Sequence, residues 1–437
     1  MRLNVAASGP AVLTHEGAPA VRVSPIKELR RSVLTALLWE NTFYEKGSAL
    51  SARVADLVTK CKAEDVAALA VEARDRMYLR HVPLFLVREL ARTKGNGALV
   101  AATLAHIIQR PDEMGEYLAL YWQGQIDADK SPLSSGSKRG LASAFRKFSA
   151  YQLAKYDRDG AYKLRDVLRL VHAKARDTEQ AALWKHVIAR DLAAPDTWEV
   201  ALSGGANKRD TFERLLREQK LGGLAFLRNL RNMVEASVDA GLIRERFAGK
   251  LGKVLPFRFI AAVRHAPAFA QELNDSMLRA VADEPRLTGR TVVLVDVSGS
   301  MDAPLSEKSE MRRTDVAAGL AVLVRELGDC RVFTFSDRLV EAPAYRGLAL
   351  VDGILRSQPH GSTQLGQAVK VLAANVPFDR LIVITDEQSH DRVEAPGGRG
   401  YVINVATFQH GVGYGPWTHI DGWSERVLDF VREVELE

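Results

Sequence analysis

Thr291-Val292-Val293-Leu294-Val295, running into Asp296-Val297-Ser298-Gly299-Ser300-Met301, is the stretch on which the reading of this chain turns. Its β-branched apolar run has the pattern of a buried strand, and it ends on a D-x-S-x-S turn. One carboxylate and two hydroxyls therefore stand together at the carboxyl end of a strand, where ligands bind in open α/β sheets. Donors that offer only oxygen suit a hard, hydrated cation such as Mg²⁺ or another divalent ion. The plainer alternative is a Ser- and Gly-rich turn that caps the next helix.

Downstream, the pattern predicts alternating strands and helices. Cys330–Phe335, Leu381–Thr385 and Tyr401–Ala406 read as strands, and the stretches around Asp315–Leu327 and Leu365–Ala374 read as helices. That alternation predicts a doubly wound, mostly parallel sheet. Two more oxygen donors fall where such a sheet converges them. Thr363 lies in the loop His360-Gly361-Ser362-Thr363 before a helix, and Asp386 directly follows a strand. Their bland readings are a helix cap and a solvated turn. Asp302 and Glu387, next to the candidate ligands, read as surface turns. Neither an H-E-x-x-H motif nor a G-x-x-x-x-G-K-[ST] phosphate loop occurs, so zinc-protease and ATP-driven chemistry have no footing. The expectation is a protein that is not an enzyme and has no catalytic residues.

Upstream, Pro and Gly punctuate the polar stretch Asp283–Arg290, which sets an expected boundary between domains 1–285 and 286–437. Almost everything before it follows the helical period. Leu141, Ala144, Phe145 and Phe148 recur on one face, as do Leu164, Val167, Leu168 and Val171. Polar residues 123–137 read as an exposed loop. The chain of 437 residues is too long for one core, and its 47% hydrophobic and 26% charged content is that of a globular protein. The fold class expected is therefore multidomain, α plus α/β.

Charge divides at the same boundary. Residues 1–290 carry 46 Lys and Arg against 33 Asp and Glu, whereas residues 291–437 carry 14 against 21. A polyanion would therefore bind the first part; the alternative is opposite charges that only help the parts dock. Two cysteines, Cys61 and Cys330, give no disulfide framework, and no secretory or membrane-spanning run appears. These features predict a cytoplasmic protein.

Helical spacing collects cations opposite the apolar faces. Lys138, Arg139, Arg146 and Lys147 flank one candidate helix, Lys155 and Arg158 follow, and Arg165, Arg169 and His172 lie on the next. Two such helices make a phosphate-reading surface; the bland reading is the wet side of a helical bundle.

Two resemblances sharpen these readings. Asp296, Ser298, Ser300, Thr363 and Asp386 follow, without departure, the metal-ion-dependent adhesion site of the von Willebrand factor A domain. That resemblance implies a Rossmann-like binding module whose bound metal accepts an acidic group from a protein ligand. Lys138–Tyr156, Lys163–His172, Trp198–Lys208, Leu227–Met233 and Leu255–Phe259 resemble the TROVE module of the Ro family. It implies a monomer built as a ring of HEAT-like helical repeats closed by the A-type domain. Its partners would be Y-like non-coding RNA and the single-stranded 3′ ends of misfolded or aberrant RNAs. It further implies RNA quality control with an exoribonuclease such as polynucleotide phosphorylase. Lys155 and His172 match family positions for Y RNA contact, while the family's basic residue just after that lysine aligns with Asp159, beside Arg158. The competing expectation is an Mg²⁺-dependent protein adaptor with the helical part as a docking platform.

Overall fold

The computed structural model describes residues 12–20, 23–34, 46–123, 131–157, 159–252, 254, 256–282, 284–305, 309–406, 408, 410–422 and 426–436. The chain forms two compact units. One comprises Pro25–Trp39 and Gly47–Val200; the other comprises Ala201–Glu437 with Met1–Ser24 and Glu40–Lys46.

The first unit is helical: α1 (Pro25–Leu34), α2 (Gly47–Thr59), α3 (Ala63–Asp75), α4 (His81–Arg92), α5 (Gly97–Ile107), α6 (Asp112–Tyr121), α7 (Ser135–Phe145), α8 (Ala150–Tyr156), α9 (Leu164–Val171) and α10 (Thr178–Ala189). Short turns fold each helix back on the last, so alternate helices stack. Helices α1, α3, α5, α7 and α9 touch in succession, and α2, α4 and α6 form a second layer. This two-layer stacking is what an α-helical repeat produces. The apolar stripes read from the sequence face this core: Leu141, Ala144, Phe145, Phe148, Leu164, Val167, Leu168 and Val171 are all buried. Ser134 starts α7 by accepting the Ser137 N–H, and Ser149 and Gln152 close a capping box on α8. The expected exposed loop over 123–137 is thus cut short. Residues 124–130 lie outside the described residues, Leu133 is buried, and α7 has begun at Ser135. A serine cluster that reads as loop in composition serves here as a helix cap.

Helix α11 (Trp198–Ser203) contains the division at Val200, and the second unit continues with α12 (Lys208–Arg217), α13 (Gly223–Glu235), α14 (Ala240–Ala248), α15 (Pro256–His265) and α16 (Ala270–Ala282). Strands then begin. The sheet comprises β1 (Arg290–Asp296), β2 (Asp329–Phe335), β3 (Leu339–Glu341), β4 (Arg380–Thr385), β5 (Arg399–Asn404) and β6 (Thr418–Asp421), in the order β3-β2-β1-β4-β5-β6. Only β3 runs antiparallel to its neighbour. Helices α17 (Arg313–Glu326), α18 (Gly347–Leu355), α19 (Leu365–Asn375) and α20 (Arg426–Leu436) complete it.

Strand periodicity divides the two faces. Val292, Leu294, Leu381 and Val383 pack with Leu365, Val369 and Leu372 of α19, while α17 lies against β1, β2 and β4. Every α17 residue from Arg313 to Val324 is buried. The reason is that the helical stack does not stop at the sheet. Helices α13, α15 and α17 form one continued layer, and α12, α14, α16 and α18 another. Helix α17 is therefore covered on both sides, as a helix apolar all round must be. This continuity explains why residues 201–282 pack with the sheet as one unit, although the residue pattern changes between Ala282 and Arg290.

At the amino end of β4, buried Arg380 donates to Glu435 of α20, to Thr291 Oγ1 and to the Thr288 carbonyl. Burial opposes the Glu435 charge, but the hydrogen bonds and charge of Arg380 outweigh it and hold that carboxyl below its usual range. A lowered carboxyl stabilises the fold above the unfolded value, about 4.5, and loses that contribution as pH falls through the folded value. Glu435→Ala should lower the unfolding free energy by about 3 kcal/mol at neutral pH, because Arg380 is left buried without its partner. Urea unfolding should show the difference from the parent protein shrinking as the medium is acidified below that value.

Both cysteines are free thiols, and burial pushes Cys330 up to about 12. Among the described residues no helix is long and apolar enough to cross a membrane.

Candidate functional site: an oxygen-lined cradle and a cationic helical surface

The sheet changes winding direction between β1 and β4, since β1 leads to β2 on one side and β4 leads to β5 on the other. A crevice at such a switch point is where open α/β sheets bind ligands. Asp296 ends β1 there, Ser298 and Ser300 lie on the turn after it, and Asp386 follows β4. Asp296, Ser298, Thr363 and Asp386 are buried. The Ser298 N–H donates to Asp296 Oδ1 at 2.9 Å and the Thr385 hydroxyl to Oδ2 at 2.5 Å. The Ser298 and Ser300 hydroxyl oxygens stand 3.4 Å apart, a spacing that suits adjacent oxygen ligands of one small cation.

Three loops are bonded together to hold this arrangement. The Gly299 N–H donates to the Gly361 carbonyl, tying the D-x-S-x-S turn to the Thr363 loop. The Thr363 N–H donates to His390 Nδ1, and the His390 N–H returns to the Thr363 carbonyl. The Gly361 N–H donates to Ser336 Oγ, whose hydroxyl donates to the Ser362 carbonyl. Asp391 accepts from the Gly366 and Gln367 N–H groups, capping α19 from the loop that carries Asp386. A segment at the other end of the chain reinforces that loop: the Thr14 hydroxyl donates to the Ser389 carbonyl, and Glu16 pairs with His390.

Two buried carboxylates are costly without positive charge. Burial, and then the neighbouring Asp386, push Asp296 up to about 7. The oxygen-only donor set and this charge excess both fit a divalent ion bound by Asp296, Ser298, Ser300, Thr363 and Asp386. Sequence reasoning missed Thr385, which orients Asp296, and Arg313, whose Nη1 lies 3.5 Å from Asp386 Oδ2. Both pairings join residues far apart in the chain, so no local spacing signals them.

Glu387 corrects an expectation. It is no surface turn but fully buried, bonded to His419 and to the Gly413 N–H. His419 stacks on Tyr414 and also faces Asp421 at 3.4 Å. The segment 410–421 covers the strand ends and seals Glu387 beneath it. Asp302 is partly exposed and pairs with His360 and Arg312.

The candidate RNA-binding residues fall on α7, α8 and α9 of the first unit, and α9 touches both α7 and α10. Arg139, Arg146, Arg169 and His172 are exposed, and Lys138, Lys155 and Arg165 are half-buried. Arg158 lies outside the described residues. Arg139 donates to the Gly97 carbonyl and Arg146 to the Lys174 carbonyl, each through part of its guanidinium. Arg165 lies 3.8 Å from Asp166. Lys147 is committed elsewhere: its ammonium bonds the Ala105 and Ile108 carbonyls and so caps α5, and burial lowers its pKa. Asp159 pairs with Lys163 and Arg190, which hold its carboxyl below the usual range. Aromatic rings complete the surface. Tyr151 is 54% exposed, one helical turn before Lys155, and the Tyr156 ring has Arg110 4.4 Å and Lys155 5.8 Å from its centre.

Comparison with known proteins gives a partial family match. Residues 190–278 match the TROVE domain. Among solved structures, this chain is similar to the crystal structure of the Deinococcus radiodurans Ro (RSR) protein, with a TM-score of 0.60 and 16% identity. That likeness covers 93% of this chain and 98% of the other, and it establishes a shared fold. No curated protein matches the sequence. The TROVE match begins just after α10, spans α11 through most of α16 and extends across the division between the two units. The cations of α7–α9 precede it.

Proposed function

We propose that this chain is a non-enzymatic RNA-binding scaffold of the Ro type. It binds Y-like non-coding RNA and the single-stranded 3′ ends of misfolded or aberrant RNAs in the cytoplasm, in the service of RNA quality control and degradation by a partner exoribonuclease. The observation that carries the reading is the surface of α7–α9. Its apolar faces are spent on the core, while Arg139, Arg146, Lys155, Arg169 and His172 remain at the surface beside Tyr151 and Tyr156. Guanidinium and ammonium groups bind phosphate without reading sequence, and aromatic faces stack unpaired bases. That combination suits a protein that accepts many faulty RNAs.

The C-terminal sheet acts as a von Willebrand factor A type module. Asp296, Ser298, Ser300, Thr363 and Asp386 would hold Mg²⁺, which supplies a charged, open coordination position for an acidic protein ligand. The buried cradle thereby favours a second reading, in which the chain is an Mg²⁺-dependent protein adaptor.

Purification from native cells distinguishes the two. The RNA scaffold retains small RNAs that nuclease removes and that salt strips off. A chain that instead holds a protein partner in Mg²⁺ and releases it to a chelator, with no RNA at low salt, is the adaptor.

A further inference from the structure

We infer that Arg313 is a built-in counter-charge in the cradle, one that competes with a divalent ion for Asp386 and keeps the ion's affinity low. This rests on the metal reading and concerns what sets the strength of that site.

Two arginines open α17, and they differ. Arg312 has a side chain 57% exposed and lies 3.5 Å from Asp302. Arg313 is 5% exposed. Its Nη1 donates to the Ser300 carbonyl at 3.4 Å and approaches Asp386 Oδ2 at 3.5 Å. A single guanidinium thus bridges the turn that carries the two serine hydroxyls and the carboxylate that completes the donor set. Two features of the place oppose a cation. The first turn of a helix favours negative charge, and a buried guanidinium is costly to desolvate. Asp386 at the end of β4 offsets part of both costs.

Arg313 is also held from behind. Asp315, two residues on, is buried and paired with Arg264 of α15 through both carboxylate oxygens. Gly319, about one turn further, packs against Phe257 and Ile260 of α15. The amino end of α17 is therefore fixed against the helical stack, and the guanidinium has little freedom to retreat. A divalent ion entering among Ser298, Ser300 and Asp386 meets a unit positive charge in a low-dielectric site and must draw Asp386 away from it. Asp296, bonded by an N–H and a hydroxyl, is the carboxylate left for the ion alone.

The test uses the full chain with Mn²⁺ as probe, followed by calorimetry and by electron paramagnetic resonance of the free ion. Arg313→Gln should bind Mn²⁺ at least tenfold more tightly than the parent protein, and Arg313→Lys, which keeps the charge, should stay within threefold. Unchanged or weaker binding by Arg313→Gln, with the parent protein binding normally, would mean that Arg313 positions the donors and overturns the inference. If neither protein takes up Mn²⁺, the metal reading itself falls, and this inference with it. Arg313→Gln also removes a neighbour of buried Asp386, so the comparison is repeated between Asp386→Asn and the Asp386→Asn, Arg313→Gln double variant. With that carboxylate gone there is nothing to compete for, so removing the arginine there should change Mn²⁺ affinity by less than threefold, and an undiminished tenfold gain would contradict competition for Asp386.

Discussion

Asp296→Ala should cut Mg²⁺ and Mn²⁺ affinity by more than 100-fold while leaving RNA affinity unchanged. Asp296 stands at the winding switch of the sheet, with its two carboxylate oxygens set by the Ser298 N–H and the Thr385 hydroxyl. Those donors are neutral, whereas the other acidic donor, Asp386, has the Arg313 guanidinium 3.5 Å away. The attraction of Asp296 for a divalent ion in that buried place is several kcal/mol, and each 1.4 kcal/mol is about tenfold. The ion-free protein should not suffer. Removing one of two buried carboxylates relieves their repulsion, so Asp296→Asn should melt at or above the parent temperature without Mg²⁺ and lose the gain that Mg²⁺ gives the parent. Calorimetric titration and paired thermal melts check both halves. Undiminished Mn²⁺ binding by Asp296→Ala would mean that the cradle is not a metal site.

The second large effect concerns the helical surface. Combining Arg139→Ala, Arg146→Ala, Lys155→Ala and Arg169→Ala should weaken binding of a structured RNA with a single-stranded tail by roughly 100- to 1,000-fold. Each phosphate that a cation neutralises is worth about 1 kcal/mol, and the slope of log affinity against log salt should flatten by about 0.7 for every such cation removed. None of the four is in the core, and the carbonyl bonds of Arg139 and Arg146 are solvent-exposed, so stability should change little. The double variant Lys155→Ala, His172→Ala should show a smaller effect, about tenfold. Lys147 is kept intact because it caps α5, and Lys147→Ala should cost stability rather than affinity. Electrophoretic mobility shifts over a salt series, with circular dichroism as the control for folding, separate the two outcomes.

What the sequence reveals of this fold follows from where periodicity is strong. The central strands β1 and β4 are buried on both faces and read as unbroken apolar runs, and α17 and α19 lie within a residue or two of where their pattern places them. Strand β3 has three residues and β6 four, both at the sheet's edges and partly exposed, so neither leaves a pattern to read. Helix α18 opens on a glycine in the left-handed region, Gly347, and escapes a reading of the sequence as they do.

The oxygen donors are legible because the D-x-S-x-S turn is local and its strand is strong. Thr385 and Arg313 are not, since their roles come from pairings across the sheet. Glu387 misleads because burial of a polar residue depends on a covering segment, here 410–421, that no nearby residue announces. Helical spacing likewise gives the face on which the cations of α7–α9 lie. It does not show that Lys147 is spent on the end of α5, or that Asp159 is held by Lys163 and Arg190.

The most direct test of the central claim is the salt dependence of RNA binding by the intact protein, measured with a structured RNA bearing a single-stranded 3′ tail between about 50 and 200 mM salt. Four or more neutralised phosphates predict a log–log slope of about −3 or steeper, which the four-residue variant flattens by about 3. A slope near zero in the parent protein, or equal slopes in parent and variant, contradicts the account.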